Sequence, residues 1–130
     1  MERIISSASC SFLVLMIMIA GCESEADRKQ RCRDQFNRCM EPCRQQRNEF
    51  MNQHHKELLA CSDSLITAMK TCDANHAPGS KPWSQCMISA TQAYQQCRDS
   101  SEVSYNRNLL EVELCEMECE LEYIGCMQGL

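Results

Sequence analysis

The feature that most constrains this chain is a palindrome in its cysteine spacing. From Cys32 on, ten cysteines follow at gaps of x6, x3, x17, x10, x13, x10, x17, x3 and x6, which read the same from either end. The midpoint is Gly79. A chain that folds back there sets Cys32 opposite Cys126, Cys39 opposite Cys119, Cys43 opposite Cys115, Cys61 opposite Cys97, and Cys72 opposite Cys86. Helical phase says what kind of arm folds back. At 100° per residue, the five cysteines of each arm fall within about 60° of one another, one narrow stripe of a helix. A strand, with its period of two, would put Cys32, Cys39 and Cys43 on mixed faces. The predicted fold is all-α: a long, coiled-coil-like antiparallel helical hairpin stapled by five nested disulfides.

The other residues agree. The stripe of the first arm reads Cys32, Phe36, Cys39, Cys43, Arg47, Phe50, His54, Leu58, Cys61, Leu65, Ala68, Cys72, in steps of three and four. Ser24 is placed to cap this helix, which is expected to start near Ala26. Pro42 removes one backbone donor, so a kink is expected there, with a break into two helices as the alternative. The breaker cluster between the first and last of these ten cysteines is Asp73 to Trp83, with Asn75, Pro78, Gly79 and Pro82. It sits at the centre of the palindrome, so two independent signals place the turn at 73–83. Ser80 is the expected cap of the second helix, with Pro82 in its first turn. Asp99-Ser100-Ser101-Glu102 resembles a capping box, but no Gly or Pro accompanies it, so the helix is expected to continue to about Met127.

Charge also fits a fold-back. Residues 28–56 hold eight basic side chains against three acidic, and residues 102–122 hold seven glutamates against Arg107 alone. In the hairpin these segments lie side by side, with Arg47 opposite Glu111 and Arg38 opposite Glu120. Exposed pairs contribute only about 0–1 kcal/mol each, but they oppose wrong registers.

Composition explains the bridges. Aromatics are 5% of the 130 residues, and twelve cysteines place the chain among disulfide scaffolds, which belong to oxidising compartments. A lone helix pair cannot enclose a full core. Cys72–Cys86 alone would contribute about 3 kcal/mol in the chain-entropy picture. The net charge of −5 argues against nucleic acid as a partner.

The N-terminus supplies the compartment. Met1-Glu2-Arg3 is a short, singly basic start, and Ile4 to Ile19 is mainly apolar. It ends in Ile19-Ala20-Gly21-Cys22, which resembles the lipobox of bacterial lipoproteins. The resemblance implies cleavage before Cys22 and acylation (palmitate) of that cysteine. Cys10 would leave with the signal peptide. The expected organisation is a signal peptide over 1–21, a lipidated tether over 22–27 and the hairpin over 28–128. Acyl chains on Cys22 would hold the protein at a membrane, each buried CH₂ adding about 0.8 kcal/mol. Glu23, rather than Asp, follows Cys22. By resemblance to enterobacterial lipoproteins this favours the outer over the inner membrane, with the protein facing the periplasm.

The mature part resembles, in topology, the twin C-x3-C and twin C-x9-C helical hairpins of the mitochondrial intermembrane space. The matching pieces are Cys39-x3-Cys43 with Cys115-x3-Cys119, and Cys61-x10-Cys72 with Cys86-x10-Cys97. The two C-x3-C units are far apart and the second spacing is x10, so no function is carried over.

For function, the leading expectation is a non-enzymatic, membrane-anchored rigid spacer or protein-interaction module of the cell envelope, with an envelope protein as partner and no cofactor. The candidate contact patch is the tip, with His76, Lys81 and Trp83. The alternative is a periplasmic copper-binding or chaperone-like protein. Met40, Met51, Met69, Met87, Met117 and Met127, with His54, His55 and His76, are soft or borderline ligands. Against it, the methionines are scattered at helical positions, and the palindrome leaves no mature cysteine unpaired except Cys22. No metal site is therefore assigned. Thiol–disulfide exchange would need a C-x-x-C pair, which the chain lacks. No spacing suggests a catalytic triad or a phosphate loop, so enzyme activity is not expected.

Overall fold

The computed structural model describes residues 23–129. The expected signal peptide over 1–21, with its lipobox-like end, and the expected lipidation site Cys22 lie outside the described residues. Two helices pack side by side along their length: α1, Glu25–Asn75, and α2, Lys81–Gln128. All five palindromic pairs are disulfides: Cys32–Cys126, Cys39–Cys119, Cys43–Cys115, Cys61–Cys97 and Cys72–Cys86. Their Cα–Cα separations run only from 5.6 to 5.8 Å. The helices thus keep one spacing from the open end to the turn.

The helix ends follow local chemistry. Ser24 Oγ accepts the Asp27 N–H at 3.0 Å and so begins α1 at Glu25. The helix thus starts one residue before the expected Ala26, and the last residues of the 22–27 tether are its first turn. The turn is also shorter than 73–83, because the helices reach Asn75 and restart at Lys81. His76 N–H closes back on the Cys72 carbonyl at 3.0 Å, and Gly79 takes φ +79°, a conformation that glycine adopts without penalty. Ser80 accepts the Trp83 N–H at 3.3 Å to start α2. Gly129, at φ +75°, ends it.

Pro42 lies inside α1, which continues through it unbroken. An interior proline costs a helix about 3 kcal/mol. Here the bridges at Cys39 and Cys43 flank it and clamp both neighbouring turns to α2. Asp99 to Glu102 is likewise uninterrupted helix. Ser101 does not cap anything; it is buried, and its hydroxyl donates across the hairpin to Glu57 Oε2 at 2.8 Å.

The core is a line rather than a volume. Among the described residues, the fully buried side chains are Val112 and five cysteines, Cys32, Cys43, Cys61, Cys72 and Cys119. Each residue of the expected α1 stripe is buried or half-buried. Phe36 meets Tyr123 at 5.1 Å between ring centroids near the open end, and His54 stacks on Tyr105 at 4.4 Å in the middle.

Candidate functional site

The tip holds the expected contact patch. Trp83 stands in the first turn of α2 and Asp73 in the last turn of α1. The indole N–H donates to Asp73 Oδ1 at 2.8 Å, across the turn. Half-buried, Trp83 thus fastens the end of the hairpin with its polar edge. His76 is half-buried and Lys81 is exposed beside it. The structure brings these residues to one end of the rod.

The other pole gathers both ends of the described chain. Glu23 accepts two hydrogen bonds from Arg31, at 2.7 and 2.8 Å. That contact holds its carboxyl below the ordinary carboxylate range. A Cβ added to Gly129 would meet the Arg28 guanidinium at 3.0 Å, so the end of α2 lies against the start of α1.

Between the bridges at Cys43–Cys115 and Cys61–Cys97, seventeen residues of each helix run without a covalent link. Polar contacts occupy this span. His54 Nδ1 lies 2.9 Å from Ser101 Oγ, whose own proton goes to Glu57 Oε2. The imidazole N–H therefore donates to the serine. A serine nucleophile needs the reverse, a histidine that takes the serine proton while a carboxylate holds its other nitrogen. Here Ser101 stands between the two and is 5% exposed. The arrangement is a strut joining the helices. The Ser101 hydroxyl, followed by the Gln53 amide, lowers the Glu57 pKa from its ordinary value.

Arg47 also crosses this span, but not to Glu111 as a straight-across register suggests. Its guanidinium grips Glu116 through contacts of 2.8, 2.8 and 3.1 Å. Side chains on a helix lean toward its N-terminus. In an antiparallel pair Arg47 and Glu116 lean toward each other, and Arg47 and Glu111 lean apart. Arg38 likewise turns to its own helix, donating to the Asp34 carbonyl at 3.3 Å rather than to Glu120.

The soft-ligand residues are dispersed. The ten cysteines from Cys32 on are in disulfides, so none of them is a thiolate. His54 is committed to Ser101 and Tyr105, and His55 is exposed on another face. Among the described residues no three His, Cys, Asp or Glu side chains converge on one point. Among them, too, no helix is long and apolar enough to cross a membrane.

The cysteine stripe and the charge pattern do not point to the outer side of α2. Six apolar side chains on the back of α2 face solvent: Val103, Leu110, Leu114, Met117, Leu121 and Ile124, each between 49% and 63% exposed. Their spacing of three, four and seven was the available signal. Compared with known protein families, curated proteins and solved structures, the chain matches none.

Proposed function

We propose that the protein is a lipid-anchored cell-envelope lipoprotein, on the outer membrane and facing the periplasm, that works without catalysis as a rigid spacer and presents its surface to an envelope protein. The observation that carries this reading is α1 itself, 51 residues of unbroken helix fastened five times to a second helix. At 1.5 Å per residue it is about 75 Å long. Stiffness over that length is what a spacer requires, and the disulfides supply it where two helices alone could not. The N-cap, Ser24, comes two residues after Cys22, so an acyl group there would attach to the rod with almost no slack. The tip with His76, Lys81 and Trp83 would then point away from the membrane.

The test is the state of the mature N-terminus. Mass spectrometry of protein from the membrane fraction is expected to find an acylated Cys22 as the first residue. Cys22→Ser is expected to leave an uncleaved or mislocalised precursor. Wild-type protein cleaved elsewhere and released in soluble form would overturn the anchored reading.

A further inference from the structure

The second helix is apolar on two opposite faces. One, with Ala90, Val112 and Cys119, is buried against α1. Taking Val112 as zero at 100° per residue, the exposed set lies about 120° to 200° around the helix, at its back. From Leu110 the set runs Leu110, Leu114, Met117, Leu121, Ile124, in steps of four, three, four and three. That alternation is the seam of a coiled coil. Glu111 and Glu118 border the seam on one side, Glu113 and Glu120 on the other, and all four are exposed. These are the e and g positions that meet a partner helix across such a seam.

We propose that the back of α2 between Leu110 and Ile124 is a docking surface for one amphipathic helix of another protein, apolar at a and d and basic at e and g. The inference deepens the reading of the hairpin as a scaffold for proteins, and needs its rigidity but not its lipid. Charge selects the occupant. A second copy docking through the same seam would set glutamate against glutamate in either orientation. A second copy docking through α1 fails differently. The basic residues of α1 concentrate in 28–56, whereas its exposed large apolar side chains are Met51, Leu59, Ile66 and Met69. Between residues 25 and 50, α1 thus has the charge without the seam. An anionic lipid surface would meet four carboxylates. A helix with Lys or Arg on both flanks satisfies the apolar seam and the glutamates together.

The experiment uses the oxidised full chain in neutral phosphatidylcholine nanodiscs and two labelled synthetic peptides with Leu at a and d. One has Lys at e and g, the other Glu. The Lys peptide is expected to bind about tenfold or more tighter than the Glu peptide, with the difference shrinking as salt is raised. The double substitution Leu114→Ser with Leu121→Ser is expected to weaken the Lys peptide about tenfold or more while leaving the melting temperature unchanged, since both side chains are over half exposed. Equal binding of the two peptides, no binding, or binding indifferent to the double substitution would overturn the proposal. So would self-association of the chain that the double substitution abolishes. A chain that does not enter the discs removes the lipid anchor alone, because the titration is still read on the free protein.

Discussion

Val112→Ala tests whether the unbridged span between Cys43–Cys115 and Cys61–Cys97 is held by packing. Val112 has no exposed surface and, among the described residues, is the only fully buried large side chain that is not a cysteine. The substitution removes two carbons, worth about 0.8 kcal/mol each in transfer. The space left behind adds to this, because disulfides at both ends limit how far the helices can close on it, and the total comes to about 2 kcal/mol. The flanking bridges remain, so the effect should be local opening rather than loss of the fold. At about 1.4 kcal/mol per factor of ten, opening becomes about 30-fold more frequent. Amide hydrogen exchange is the assay. Residues 46–58 and 100–112 should exchange about 30-fold faster, and those around Cys72–Cys86 should be unchanged. Leu114→Ala, two residues away but 59% exposed, should shift exchange hardly at all. Uniform acceleration along both helices, or equal effects of the two substitutions, would refute the picture of a locally held span.

Other expectations concern the bridges, the strut and the tip. Replacing Cys61 and Cys97 with Ser merges two closed loops into one and should cost about 3 kcal/mol; an unchanged unreduced melting curve would contradict this. Glu57 has its pKa depressed in the folded state, so its contribution is present above the ordinary value of 4.5 and is lost as pH falls through the folded value. Opening of the middle span, read as exchange corrected for the chemical rate at each pH, should become more frequent on acidification below about 4.5, and Ser101→Ala should flatten that rise. Asp73→Ala should cost about 1 kcal/mol by removing the acceptor of the Trp83 indole, with faster exchange confined to residues 72–86. Trp83→Ala should cost more, because it also removes the ring; a variant of full stability that loses partner capture would make Trp83 a contact residue instead.

The disulfide pairing was legible because it needs only counting: a symmetric list of gaps has one fold-back that pairs every member. The helix starts were legible because Ser24 and Ser80 carry the capping oxygen themselves. Contacts made by long side chains were not. A register drawn straight across gave Arg47 to Glu111, and the lean of side chains along each helix axis gave it to Glu116. Ser101 shows a different limit. Beside Asp99 and Glu102 it has the composition of a cap, but its position on the seam buries it, and burial requires its hydroxyl to find Glu57 and His54.

The back of α2 was hidden by a coincidence of periods. One apolar face of a helix repeats every 3.6 residues, but two opposite faces together repeat every 1.8 or so, close to the period of two of a strand. The stretch from Leu110 to Glu122 shows it: apolar residues and glutamates alternate with few interruptions, as on a half-buried strand. Only the cysteines break the ambiguity. Cys115, Cys119 and Cys126 must face Cys43, Cys39 and Cys32, which selects the helix and fixes its inner side. What remains on the outer side then has no partner within the hairpin, because α1 can cover only one face. Among the described residues, the two-faced α2 thus closes the hairpin with one side and leaves the other, bordered by glutamates, as the surface proposed for a third helix.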